Sequence, residues 1–216
     1  VPNTGYFARH LEVLSNPTAA PITVGLRATG VAGGVSCSGA GWYPPMRLTM
    51  TSSGDNLLDV SSPTAPDRWM ALDYGGDCLS TDALAFAFDG PGAAVRVSSA
   101  SVQVRAGRWP YASESLIAYE WSDITVPAGG QVAFLHFAAQ QTNPLAARAS
   151  AGRLVQLPPE AMIGLSQDEA AAIQNFVLPA DGLGTVPPLP ALNGTITGRV
   201  FEGAGATAVA GALVQF

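Results

Sequence analysis

A mainly β fold is predicted for this chain: an antiparallel β-sandwich with two short helices, followed by a proline-rich linker and a C-terminal β-ribbon. Three features point there. Apolar and polar residues alternate with a period of two in short runs. Turns rich in Gly and Pro interrupt those runs, as at Asp89-Gly90-Pro91-Gly92 and Pro127-Ala128-Gly129-Gly130. Helix-start signals stand at Asn143 and Ser166, downstream of the strands.

The first strand follows from Phe7, Arg9, Leu11 and Val13 alternating with Tyr6, Ala8, His10 and Glu12. Asn16-Pro17 breaks the run, and Ile22-Thr23-Val24-Gly25-Leu26 begins the next, so the pair forms a hairpin or a bend between two sheets. Further strands are predicted over residues 47–51, 83–88, 94–97, 101–105, 116–121 and 131–137. Asn143 as N-cap and Pro144 at the first helical position open a helix that Pro158-Pro159 ends, giving a helix over about 143–156. Ser166 and Glu169 form a capping box, in which each side chain satisfies an amide that the helix leaves orphaned. The second helix is expected over about 166–177, with Ile173, Phe176 and Val177 as its apolar face and both helices packed against an edge or end of the sandwich. The body is thus 1–178. Residues 179–193 form a Pro/Gly-rich linker, in which Pro179, Pro187, Pro188 and Pro190 favour a semi-rigid extended chain. Residues 194–216 are a β-ribbon.

Composition excludes several classes. Hydrophobic residues are 48% and charged residues 12%, the reverse of an acidic disordered segment. All ten basic residues are Arg, so Schiff-base chemistry, a P-loop lysine and Lys–Asn isopeptide staples have no lysine to use. A net charge of −6 without a basic cluster argues against nucleic acid as a partner. No apolar run reaches the length of a membrane-spanning helix. The opening Val1-Pro2-Asn3 has no signal-peptide character, which is expected of a processed or truncated secreted product. Cys37 and Cys78 are too far apart for a CxxC pair and are read as one disulfide, with two buried thiols as the alternative. The disulfide would place the chain outside the cytosol, in the extracellular space or at the cell surface.

In the C-terminal ribbon, Gly198 and Val200 stand in one strand, and Gly211, Ala212 and Val214 in the next. This pattern resembles the start of a carboxypeptidase regulatory-like module, a transthyretin-like β-sandwich of secreted bacterial surface proteins. The portion before it resembles the uncharacterised sandwich domains that precede such modules. The resemblance implies a spacer or assembly role and carries over no catalytic residue. It covers 194–216 only, two strands where a whole module has about seven. A lone two-stranded ribbon is marginal in water, and its unpaired edges template association. The ribbon is therefore a truncated module, a segment folded back on its own body, or a strand donor to a neighbour. As a donor it would insert Ile196, Val200, Val209, Leu213 and Phe216 into a partner groove, with Arg199 and Glu202 its sole charges.

Asp73, Asp77 and Asp82 lie in a Gly-containing loop that could gather oxygen ligands for calcium, or could be a solvated loop of Asx-turns. The spacing fits neither the EF-hand nor the nonapeptide calcium repeat. Beyond that calcium, no cofactor is expected. Trp42, Tyr43, Trp109 and Tyr111 are candidate glycan-stacking aromatics, whereas Tyr119 and Trp121 share a strand face and suit a core. No nucleophile-elbow motif occurs, and His136 alternates with Val132 and Phe134 as a sheet histidine would, as does strand-borne His10. Glu114, Glu120 and Asp123 are the acids that a glycosidase pair would have to draw on. The expected function is therefore a non-enzymatic extracellular structural protein, self-associating through its C-terminal ribbon. A glycan- or surface-binding adhesin is the alternative, and a hydrolase a distant third.

Overall fold

The computed structural model describes residues 6–33, 44–75, 82–107, 112–179 and 186–189. The body is an antiparallel β-sandwich, as the alternation predicts. Its strands are β1 (Ala8–Ser15), β2 (Ile22–Gly33), β3 (Arg47–Thr51), β4 (Trp69–Asp73), β5 (Ala83–Ala87), β6 (Ser99–Ala106), β7 (Ser113–Val126) and β8 (Gln131–Gln141). Helices α1 (Pro144–Leu154), α2 (Pro159–Met162) and α3 (Gln167–Ala172) follow. One sheet has the order β1-β8-β5-β4-β3 and the other β2-β7-β6.

The corner between β1 and β2 is a change of sheet, not a hairpin. β1 pairs with β8, and β2 pairs with β7. Asn16, buried at the corner, explains the sharp exit. Its Nδ2 donates to the carbonyls of Ala20 at 2.8 Å and Val126 at 3.1 Å, while its Oδ1 accepts the Thr18 amide at 3.0 Å. The side chain thus satisfies backbone groups that the turn leaves without a ladder partner.

Two cores result. Between the sheets lie Met70, Leu72, Phe88, Ile117, Trp121, Ile124 and Phe134. On the outer face of the five-stranded sheet, Ala71, Ala83, Ala85, Ala87, Ala133 and Ala139 form a shallow floor on which Ala147, Ala151 and Leu154 of α1 rest. The short alanine side chains leave room for the helix to approach the sheet, while Leu135, Phe137, Leu154 and Phe176 fill the rest of this layer. The helices therefore cover a face of the sandwich and not an edge or end, which corrects the sequence-based placement.

That second core also explains strand β4, which the alternation missed. From Met70 to Asp73 every residue is buried. A strand covered on both faces has no polar side to alternate with. The residues 94–97, expected as a strand, are not one. The amides of Ala94 and Val95 both donate to the Gln174 carbonyl at 3.0 Å, and that of Val97 to Asp89 Oδ2 at 2.7 Å. Their hydrogen bonds run to loop partners and not to a neighbouring strand.

The helix signals are in place. The Asn143 side chain accepts the Ala146 amide at the start of α1, and Ser166 and Glu169 complete the capping box of α3. Two boundaries differ. Pro158-Pro159 does more than terminate a helix, because Pro159 begins α2, where its missing N–H costs nothing. The α3 helix stops at Ala172 and not at 177, since Ile173 turns extended and bridges Ala133 of β8 in parallel. There the stretch of β8 that β5 does not cover outcompetes another helical turn: Gln174 donates its amide to the Ala133 carbonyl at 2.9 Å. Ile173 and Phe176 are buried as an apolar pair, while Val177 is 61% exposed.

Asp89, fully buried after β5, accepts the Val97 amide at 2.7 Å and the Trp121 indole N–H at 3.2 Å. Burial pushes its carboxyl up to about 7, against the opposing pull of those two donors and of Arg96 and Arg68. A folded-state value above the unfolded one stabilises the fold below the unfolded value and is lost as pH rises through about 7. Asn in this position has one acceptor oxygen for two N–H donors. Asp89→Asn is expected to melt well below the parent at acid pH, with the gap narrowing between about pH 4 and 7. Thermal melts of both proteins across that range check it, and a gap that widens with pH contradicts it.

Candidate functional site

The described body offers two site-like features: a bare sheet edge and a polar cluster at the opening between the sheets. Four strands lie at sheet ends: β1, β3, β2 and β6. Three of these carry features that discourage pairing with another chain. β1 holds Arg9, His10 and Glu12, and β3 is five residues long with an irregular register between Leu48 and Met50. β2 carries Arg27 and meets β7 across a bulge near Asp123, whose φ of 54° is left-handed. β6 has no break in its register. Among the described residues it pairs only with β7, in unbroken register from Ser99 opposite Glu120 to Ala106 opposite Ser113. It contains no proline and one charge, Arg105. Its Val104, on the strand face directed between the sheets, is 58% exposed.

The polar cluster comes from three strands. In the β1–β8 ladder, His10 stands opposite His136, and Glu12 opposite Phe134. The period of two puts His10, Glu12 and His136 on the face that looks toward the other sheet. The imidazoles stack with centroids 4.8 Å apart and planes 12° from parallel. His136 Nε2 lies 3.4 Å from Glu12 Oε1, and His136 Nδ1 lies 2.7 Å from the Tyr119 hydroxyl, which reaches across from β7. Tyr119 is 5% exposed and Trp121 fully buried, so this end of the cluster is sealed. His10 is exposed and the Glu12 side chain is 47% exposed, so the other end opens to solvent. Burial, and His10 beside it, hold His136 down to about 4, although Glu12 pulls the other way. The ring is therefore neutral at neutral pH and keeps a lone pair to give. Burial likewise pushes the Tyr119 hydroxyl up, so it stays protonated.

The other sequence candidates lie only partly among the described residues. Asp73 ends β4, with Oδ1 accepting the Gly75 amide at 2.6 Å and Oδ2 the Thr49 hydroxyl at 2.8 Å, an Asx-turn closing the strand. Asp82 directly precedes β5, and Asp77 lies outside the described residues. So do Cys37, Cys78, Trp42, Tyr43, Trp109, Tyr111, Ile196, Val200, Val209, Leu213 and Phe216. Glu114 lies 3.4 Å from Arg105, on the face of β7 that points away from the core. Glu120 shares that face six residues on, roughly 20 Å along an extended strand. Glycosidase carboxylates stand about 5–9.5 Å apart, so this pair does not meet that geometry. Tyr74, Tyr119 and Trp121 are core residues.

The histidine pair escaped sequence reasoning because both histidines looked like isolated strand residues. What unites them is the register of β1 on β8, strands more than a hundred positions apart. The local signal was the His10–Glu12 spacing of two, which places two donors on one strand face.

No protein-family model matches this chain, and no curated protein or solved structure matches it.

Proposed function

We propose that the chain is a non-enzymatic structural module of an extracellular assembly, joined to a neighbouring copy by β-strand addition. The donor is the segment 194–216, and the acceptor is the β6 edge. The observation that carries this reading is that edge: eight residues in unbroken register, with one charge and no proline. Such an edge offers a row of backbone donors and acceptors, and added strands gain affinity from main-chain hydrogen bonds and specificity from alternate side chains. The donor is similarly undefended, with charge only at Arg199 and Glu202. Each of its apolar anchor residues would contribute about 1.5–3 kcal/mol on full burial.

The linker gives this direction. Arg153 of α1 donates to the Pro187 carbonyl at 2.7 Å while also holding Glu160 at 2.7 Å, so the linker is tied to the helical layer. The acceptor edge belongs to the opposite layer of the sandwich. The Pro187 contact and the β6 edge thus belong to opposite layers, an arrangement that suits head-to-tail, heterologous growth.

Size-exclusion chromatography and electron microscopy test the reading. The chain is expected to form ladders or filaments, and deletion of residues 193–216 to leave monomers. Val104→Lys puts a charge on the acceptor edge at an exposed position, so the fold survives while assembly falls. A full chain that stays monomeric at every concentration, or polymers that survive both changes, would sink it.

A further inference from the structure

We propose that His10, Glu12 and His136 form a binding site for a divalent transition-metal ion such as zinc at the β1 edge of the sandwich, with Tyr119 positioning His136. The three side chains bring two imidazole nitrogens and a carboxylate oxygen within 4.8 Å of one another. Two ligands bonded to one tetrahedral zinc ion at its usual bond lengths lie roughly 3.3 Å apart. His136 Nε2 and Glu12 Oε1 already stand at 3.4 Å. His10 has the remaining distance to close, and its exposed side chain would turn out of its stack on His136 to do so.

The donor set selects the class of ion. Calcium and magnesium take oxygen ligands, whereas mixed imidazole and carboxylate sets suit zinc, copper, nickel and iron. Three protein ligands leave at least one position to water, on the side that opens to solvent.

The surroundings are those of a ligand and not only of a paired histidine. A metal-bound histidine characteristically donates its other ring N–H to a fixed partner. With the ion on Nε2, the ring proton sits on Nδ1 and is donated to the Tyr119 oxygen at 2.7 Å. Trp121, its ring centroid 6.1 Å from that of His136, closes the site from beneath. Without an ion, the opposite tautomer satisfies both contacts, with the Tyr119 hydroxyl donating to Nδ1 and Nε2–H directed at Glu12. The Glu12 contact is then long for a hydrogen bond, which leaves the Nε2 side weakly held.

Calorimetric titration of the tag-free full chain with zinc, paired with thermal melts, tests this. The parent is expected to bind one ion per chain and to melt higher with zinc. His10→Ala and Glu12→Gln change exposed side chains, and each should weaken binding at least about tenfold. Tyr119→Phe should weaken it about 10–100-fold, the effect characteristic of losing such a partner. With copper(II) as the probe, paramagnetic resonance should show coupling to two nitrogens in the parent and one in His10→Ala. No binding by the parent, or unchanged affinity in either His10→Ala or Glu12→Gln, overturns the site.

Discussion

Asn175→Ala is expected to destabilise the protein by about 3 kcal/mol or more, lowering its melting temperature by about 6–12 °C. Strand β5 covers β8 only as far as Ala87 opposite Phe137, so the rest of that flank of β8 needs another partner. Residues 173–175 supply it. Ile173 bridges Ala133, Gln174 donates its amide to Ala133, and then the Asn175 side chain takes over from the backbone. Its Oδ1 accepts the Leu135 amide at 2.9 Å, and its Nδ2 donates to the Leu135 carbonyl at 2.6 Å and the Phe88 carbonyl at 2.7 Å. The carboxamide thus stands in for a peptide unit and finishes the sheet. Asn175 is fully buried, so water cannot replace it. Alanine would orphan one amide and two carbonyls, each costing about 1–3 kcal/mol, with some relief from relaxation. Asn175→Asp separates this explanation from simple space-filling. The aspartate fits the volume but sets an acceptor against two carbonyls, so it should be at least as damaging as alanine. A mild Asp variant beside a severe Ala variant would show that shape, not hydrogen bonding, holds the junction.

This junction also shows which parts of the fold were legible in the sequence. Local chemistry was readable: the Asn143 cap, the Ser166–Glu169 box, and Asn16-Pro17 as a break all depend on neighbours within a few residues. Period-two alternation located seven of the eight strands, because each of them, unlike β4, has a contrast between its two faces or lies between clear turns. Nonlocal competition was not readable. The stop of α3 at Ala172 is decided by an open stretch of β8 some forty residues earlier, and the loop at 94–97 is held by Gln174. The same reason hid the polar cluster. His10 and His136 each had an ordinary strand context, and only register made them neighbours. The bareness of β6, in contrast, follows from its own sequence once its place at the end of a sheet is known.

Trp121→Ala is the other large expected effect, a loss of about 3–5 kcal/mol typical of removing a buried aromatic. Trp121 is fully buried between the sheets, with ring centroids 5.6 Å from Tyr119, 5.2 Å from Phe134 and 6.1 Å from His136. Its removal opens a cavity at the point where both sheets and the polar cluster meet. It also deprives Asp89 of one donor, since the indole N–H points at Oδ1 from 3.2 Å. Trp121→Phe divides these two contributions. Phenylalanine keeps most of the ring contacts and removes only the donor, so its cost should be smaller. Its signature should lie in the pH dependence. The indole hydrogen bond favours the charged carboxylate, so losing it raises the Asp89 value above about 7. Because a raised folded-state value sheds stability as pH climbs toward it, the decline should continue to higher pH in Trp121→Phe than in the parent. Thermal melts of parent and variant from acid to mildly alkaline pH read this shift directly. Parallel curves would mean that the indole contributes packing alone, and that the Asp89 carboxyl draws nothing from it.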